Sequence, residues 1–168
     1  MRIRNAVRPA FAVAWGVTLA LTFAIAVVGN GLVDWVRSFS TLRTAGIVIL
    51  SAVSILVAVW VVLNARHVSW FRLGLSVVVA AALVWWGSTF ERPAETLHIL
   101  LFGALGAIGV LAFGLKAALV LAPLCAGADE LLQLYLPDRV GDLKDVTVNT
   151  IAAWGGCVVG WANRRDAE

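Results

Sequence analysis

Residues 10–28 decide the fold, because AFAVAWGVTLALTFAIAVV is a run of 19 residues without a charged side chain. At about 1.5 Å per residue, a helix of this length crosses about 28 Å, close to the roughly 30 Å hydrocarbon core of a bilayer. The run is longer than the roughly 7–15 apolar residues of a signal peptide, although Arg2, Arg4 and Arg8 precede it. We interpret it as a first transmembrane helix, with cleavage near Ala26 as the alternative.

Five further apolar runs follow along the chain: residues 45–63, 73–90, 97–115, 117–136 and 146–162. The chain is 61% hydrophobic with a mean hydropathy of +0.93, whereas soluble proteins are about 45–50% apolar. A soluble domain of this length could not bury so much apolar surface. The sequence therefore predicts an all-α fold, a polytopic membrane helical bundle of about six transmembrane helices. The last run, with 17 residues, is short enough to re-enter the membrane rather than span it.

Lysine and arginine are distributed unevenly over the short loops between these runs. With six spans and a cytoplasmic N-terminus, eight of the 13 basic residues fall inside and eight of the ten acids fall outside. Positive charge favours the cytoplasmic side, so we predict a multi-pass protein of the bacterial cytoplasmic (inner) membrane with both termini cytoplasmic. We divide the chain into an N-terminal pair of helices, residues 1–70, and a four-helix domain, residues 71–168.

Polar residues are concentrated in the stretch 129–149, DELLQLYLPDRVGDLKDVTVN. In the predicted topology this stretch meets the segment 91–98 at the extracytoplasmic boundary. A carboxylate inside a spanning helix costs about 2.5–3.5 kcal/mol, so such groups face the bundle interior and need partners. Residues three or four apart share a helix face, and arginine pairs with carboxylates in bidentate geometry. The candidate site residues are His98, Glu130, Gln133, Arg139, Asp145 and Asn149.

The acids of this stretch also have structural interpretations. Asp142 is best explained as a helix N-cap, while Asp145 fits a helix start and a functional site equally well. Asp129 lies about 100° around the helix from Glu130, so we expect it to be an interfacial acid. Glu130 is the strongest candidate, because several residues of apolar helix still follow it.

Two other candidates lie within apolar runs and have structural alternatives of their own. A lone histidine such as His98 is more often structural than catalytic, and Asn149 could simply bond between helices at roughly 0.6–2 kcal/mol. Small residues at regular spacing predict close helix contacts. They are Gly103, Gly106 and Gly109 in the fourth run and Ala152, Gly156 and Gly160 in the last one.

Several classes of function are excluded by composition and motif. The basic residues are scattered between apolar runs and form no nucleic-acid-binding face, despite a net charge of +3. Cys125 and Cys157 have no second cysteine at ligand spacing. The chain has only two histidines, and His67 lies in an inner loop, so a multi-histidine metal site is excluded. Walker, HExxH and GxSxG motifs are absent, and we predict no metal, no cofactor and no nucleic-acid partner.

The spacing of the polar residues resembles the signature of the VanZ-like membrane family. The matching residues are Glu130, Gln133, Pro137, Arg139, Asp145, Asn149 and Gly156, with His98 upstream. The resemblance covers roughly residues 73–162. Ala94 and Glu95 stand where the family often has Asp-Lys. The family's namesake is associated with low-level resistance to the glycopeptide teicoplanin, so the resemblance implies a cell-envelope protein and no particular reaction.

Three functions fit these observations. The first is an extracytoplasmic-facing polar pocket that binds or acts on a lipid-linked or cell-wall molecule, with Glu130 as general acid or base and Arg139 on an anionic head group. The second is a non-catalytic accessory or binding protein. The third, a small transporter, is weakened because the acids gather at one boundary. The residues assigned are His98, Glu130 and Asp145 for catalysis and Gln133, Arg139 and Asn149 for ligand binding. The sequence leaves open whether the chain is an enzyme and what its oligomeric state is.

Overall fold

A computed structural model describes residues 8–39, 59, 68–90, 93–137 and 141–164. The α-helices whose bounds lie within the described residues are α1 (Pro9–Phe39), α2 (Trp70–Ser88), α3 (Pro93–Phe113), α4 (Leu115–Leu134) and α5 (Leu143–Ala162). The described residues contain no strand, which confirms the all-α prediction for them. Four segments, one in each of α1 to α4, are long and apolar enough to cross a membrane. The predicted span 45–63 lies outside the described residues apart from Val59, so six spans and cytoplasmic termini stay predictions.

Helix α1 is longer than the sequence predicts. The apolar run ends at residue 28, yet the helix continues to Phe39 and contains 31 residues. No proline interrupts residues 29–39, and each of the two glycines there costs only about 1 kcal/mol in a helix. At about 1.5 Å per residue the helix is roughly 46 Å long, which exceeds the hydrocarbon core. It packs on α3 and α4, and the Trp15 ring meets Phe113 edge-on at 5.3 Å.

The central contact of the bundle is formed by α3 and α5. Helix α5 also contacts α2 and α4. The two backbones meet directly: a Cβ placed on Gly106 would clash with the carbonyl of Ala153, and one on Gly156 would clash with the carbonyl of Gly103. Small residues permit this approach between apolar helices. The predicted close packing of the small-residue segments is therefore confirmed.

The hydrophobic core lies on both sides of this contact. Its buried members come from three helices: Ile99, Phe102 and Leu105 of α3, Ala122, Cys125 and Ala126 of α4, and Ala152 and Ala153 of α5. Large side chains come mainly from α3 and small ones from its neighbours, so the faces interdigitate at short helix separations. Both cysteines are buried and free, as expected for small apolar side chains.

Helix α4 contains a proline, and a tryptophan of α5 compensates for it. Pro123 has no N–H, so the carbonyl of Leu119, four residues earlier, loses its usual helical donor. The Trp154 indole Nε1 donates a hydrogen bond to Leu119 O at 3.1 Å. A backbone carbonyl away from water needs such a partner. The bond supports α4 about three turns before Asp129 and Glu130.

The start of α2 is joined to the end of α5 by polar contacts. Asn163, which is 4% exposed, donates through Nδ2 to Ser76 Oγ at 2.6 Å. Arg72 donates through Nη2 to the carbonyl oxygens of Trp161 and Arg164 at 2.8 and 3.0 Å. The last carbonyls of a helix lack intrahelical donors, so Arg72 caps the C-terminus of α5.

Candidate functional site

The end of α4 buries three polar side chains, Asp129, Glu130 and Gln133. Gln133 Nε2 donates to Asp129 Oδ2 and to Glu130 Oε1, each at 3.1 Å. Residue 133 lies four positions after 129 and three after 130, so one helical turn places the amide between both carboxylates. The amide therefore holds the two acids side by side on the interior face of the bundle.

Glu130 also connects α4 to the start of α5. Its Oε2 accepts a hydrogen bond from the backbone N–H of Asp142 at 3.1 Å. The Asp142 side chain in turn accepts from the N–H of Lys144 at 2.9 Å and is the N-cap of α5, which confirms the predicted cap. Gly141 permits this approach, because a Cβ there would lie 2.9 Å from the Glu130 carbonyl oxygen.

His98 brings α3 into the same group of side chains. Its Nδ1 lies 3.5 Å from Asp129 Oδ2, and its side chain is 14% exposed. The imidazole ring lies 6.3 Å from the Phe102 ring, at a tilt of 42°. The acid beside His98 is thus Asp129, which orients the ring from α4 while Phe102 packs near it one turn along α3.

The prediction that Asp129 is an interfacial acid is wrong. Its side chain is fully buried, at 0% exposure. The buried residues of α4 are Ala118, Ala122, Cys125, Ala126, Asp129, Glu130 and Gln133. The buried stripe of a helix is at least about 100° wide, so it can hold both Asp129 and Glu130, whose side chains point about 100° apart. The signal was present in the sequence, because Asp129 continues the three- and four-residue spacing of the small residues and stands four positions before Gln133.

Asp145 and Asn149, four residues apart on α5, have different surroundings. Asp142 is the N-cap of α5, so Asp145 does not have that role. Asp145 lies half-buried in the first turn of the helix, and its negative charge repels the Glu130 carboxylate. Asn149 is 2% exposed, and its Nδ2 has no hydrogen-bond partner among the described residues. Arg139 falls in the segment 138–140, outside the described residues, so its pairing stays a prediction.

We use the name boundary cluster for the side chains of His98, Asp129, Glu130 and Gln133 together with the N–H of Asp142. The Glu130 carboxylate is fixed by two donors from two different helices. A carboxyl and an imidazole can each carry a proton in acid–base chemistry. In the part of the chain that the structure describes, no group of three or more His, Cys, Asp or Glu residues could hold a metal ion.

The long apolar helices and the buried acidic cluster at one end of their bundle define an α-helical membrane protein with polar side chains in its interior. The family model VanZ/LLP1 matches residues 17–162, so the chain belongs to this family and the predicted resemblance is confirmed. The match begins inside α1 and ends with the last residue of α5, and it takes in most of the chain. No curated protein and no solved structure matches the chain at a significant level. The division at residue 70 stays a prediction.

Proposed function

We propose that the protein binds or acts on a lipid-linked or cell-wall molecule of the envelope at the boundary cluster. One observation carries the proposal: four side chains, His98, Asp129, Glu130 and Gln133, meet in the bundle interior at the ends of their helices. Burying two carboxylates side by side is unfavourable for stability. A functional role accounts for the presence of two buried carboxylates at this place.

The roles that we propose follow from the hydrogen bonds. Glu130, held by two donors, transfers or accepts a proton at the ligand, and His98, beside Asp129, is a second proton carrier. Gln133 positions both acids. The Nδ2 of Asn149, buried without a partner among the described residues, donates to a ligand oxygen. Asp145 acts through its charge, and Arg139 binds an anionic head group.

A non-catalytic role is the second candidate, because the same bonds fasten helices together. Glu130 joins α4 to α5, and His98 brings α3 to α4. A cluster with this connectivity also suits an accessory or binding protein that holds an envelope molecule without changing it. In that case the side chains hold the ligand and no bond is made or broken.

The envelope precursors of cells provide the test. We would compare strains with the gene deleted, restored, or restored as Glu130→Gln, by mass spectrometry of lipid-linked species together with teicoplanin susceptibility. The matched control is Asp142→Asn, which removes one negative charge at the same boundary but keeps an N-cap. A precursor that accumulates in the deletion and in Glu130→Gln, and not in the control, would support an enzyme.

Other outcomes separate the remaining possibilities. Unchanged precursors with altered susceptibility in the deletion and in Glu130→Gln would support the accessory role. Normal precursors and susceptibility in Glu130→Gln, at equal protein levels, would refute a role for the boundary cluster. We further propose a location in the bacterial cytoplasmic membrane, as a multi-pass protein whose boundary cluster faces the extracytoplasmic side.

A further inference from the structure

One face of α4 carries a proline and a glycine directly before Glu130. Pro123, Gly127 and Glu130 lie at intervals of four and three residues, so they share this face of the helix. The face meets α5, because the Glu130 carboxylate accepts a hydrogen bond from the backbone N–H of Asp142, the N-cap of α5. At Gly127 a Cβ would meet no atom of the described residues within 4 Å. The missing side chain therefore leaves open space beside α5, one turn from Glu130.

Contacts between α4 and the α5 region border this open space at both ends. At one end the Trp154 indole donates to the Leu119 carbonyl at 3.1 Å. At the other end Gly141 lies so close to Leu134 that a Cβ there would be 2.7 Å from the Leu134 Cγ atom. The helix rises about 16 Å from Leu119 to Glu130. We use the name lateral groove for the space beside Pro123 and Gly127 between these two contacts.

The sides of the lateral groove are mainly apolar and open to the membrane. Thr147, Ile151 and Trp154 follow one another at intervals of four and three residues on α5, and all three are exposed. On the α4 side, Leu124 and Leu131 are exposed as well. Helix α4 is long and apolar enough to cross a bilayer, so hydrocarbon chains cover the side chains exposed along its middle.

Glu130 lies where the lateral groove meets the boundary cluster. Asp129 is fully buried, whereas Glu130 shares its face with Leu134, four residues later, which is exposed. Of these two carboxylates, Glu130 is therefore the one that borders the lipid-facing surface. In the predicted orientation α4 ends at the extracytoplasmic boundary, so the groove runs from Glu130 toward the middle of the membrane. A bilayer lipid has the same arrangement, with its head group at the boundary and its chain toward the middle.

We propose that the lateral groove holds the hydrocarbon chain of a membrane lipid whose polar part reaches Glu130. The inference rests on the proposed function and narrows the ligand to a molecule that enters from the bilayer, between α4 and α5, and not from the aqueous side. A hydrocarbon chain gains little by leaving the bilayer for an apolar groove, because lipid tails are as apolar as leucine. The groove therefore directs the chain, and the boundary cluster supplies the selectivity.

Photo-crosslinking of the full chain in phospholipid nanodiscs tests the proposal. The probe is a polyprenyl phosphate that carries a diazirine in its chain, and mass spectrometry identifies the cross-linked peptides. Gly127→Leu fills the lateral groove, and Gly127→Val fills it with a smaller side chain should the leucine variant fold poorly. The matched control is Ala128→Leu, because Ala128 is exposed and points about 100° away from Gly127. Circular dichroism checks that each variant keeps its helices.

We expect the native chain and Ala128→Leu to cross-link along the groove, within residues 120–134 and 147–154. Gly127→Leu should cross-link there about tenfold less, which corresponds to about 1.4 kcal/mol of binding free energy. Equal cross-linking of the native chain and Gly127→Leu would overturn the proposal. Cross-links that are as frequent on the exposed face of α2 as along the groove would do the same, since they would report only bulk lipid.

The envelope readouts used for Glu130→Gln separate this inference from the proposed function. If the chain of the ligand lies in the lateral groove, Gly127→Leu should change the precursors or the teicoplanin susceptibility as Glu130→Gln does, and Ala128→Leu should change neither. Normal readouts in Gly127→Leu with altered ones in Glu130→Gln would overturn entry through the groove and leave the proposed function intact. Normal readouts in both variants would refute both.

Discussion

At the scale of single residues, Gln133 decides the geometry of the boundary cluster, because one amide nitrogen serves two buried carboxylates. Replacing it by leucine keeps the volume and removes both hydrogen bonds. We expect Gln133→Leu to lower the free energy of unfolding by about 1–3 kcal/mol, since two carboxylate oxygens lose a donor. SDS titration of the full chain in mixed micelles, followed by circular dichroism, measures this change.

An exposed hydroxyl supplies the control for Gln133→Leu. Thr147 on α5 donates only to the Leu143 carbonyl of its own helix, at 2.9 Å, and its side chain is exposed. Thr147→Val should therefore change the free energy of unfolding by less than about 0.5 kcal/mol. Equal effects of the two substitutions would show that the amide bridge does not stabilise the cluster.

Sequence spacing predicted part of the site because an α-helix has a fixed period. The three-residue interval between Glu130 and Gln133 placed them together correctly. The prediction for Asp129 was wrong because it assumed that a residue 100° around the helix from Glu130 must leave the buried face. The buried stripe of α4 is wide enough to hold both residues. The contact between His98 and Asp129 joins two helices, and spacing within one helix carries no information on which acid lies opposite the ring.

At the scale of helices, Pro123 and Trp154 form a pair whose energies should be coupled. With Pro123 present, Trp154→Phe removes the donor of the Leu119 carbonyl, and we expect a loss of roughly 0.6–2 kcal/mol in stability. In a Pro123→Ala background the new N–H at position 123 can bond to Leu119 O itself. The same Trp154→Phe change should then cost distinctly less.

A double-mutant cycle of unfolding free energies, measured in micelles, tests this coupling. Trp85→Phe is the reference, because Trp85 is 71% exposed on α2 and its substitution should have the same small effect in both backgrounds. Additive effects of Trp154→Phe and Pro123→Ala would contradict the compensation between the two helices.

Two glycine-to-alanine substitutions should change the free energy of unfolding in opposite directions, because only one of the two glycines lies in the contact of α3 with α5. A Cβ at Gly156 meets the backbone carbonyl of Gly103, which cannot move away without separating the helices. Gly156→Ala should therefore destabilise by about 1–3 kcal/mol or more. At Gly127, in the middle of α4, a Cβ meets nothing within 4 Å, so Gly127→Ala should stabilise by about 0.5–1 kcal/mol.

Thermal or SDS unfolding of both variants in micelles compares them directly. A stabilised or neutral Gly156→Ala would refute the close packing of α3 on α5. The spacing of the small residues predicted this contact, since helices in lipid approach through such residues. The end of α1 was not predicted, because hydropathy marks where apolar residues stop and says little about where helical hydrogen bonding stops.

At the scale of the whole molecule, charge is separated between the two ends of the bundle. Arg8, Lys116 and Arg164 lie at one end, while the boundary cluster lies at the other. The sequence predicted this separation from loop charges. The loop charges alone could not determine whether residues 45–63 cross the membrane. The orientation of α1 in the membrane relative to the other helices depends on that crossing.

Cysteine labelling in intact cells tests the predicted orientation. The native Cys125 and Cys157 are buried, so a membrane-impermeant maleimide should leave them unmodified. Lys116 and Lys144 are both exposed. Lys116 lies at the start of α4 and Lys144 at the start of α5, so they stand at opposite ends of the bundle. If the basic end is cytoplasmic, Lys144→Cys should be labelled in intact cells, whereas Lys116→Cys should be labelled only after the membrane is permeabilised. The reverse pattern would place the boundary cluster on the cytoplasmic side, and the ligand would then have to be a molecule on that side of the membrane.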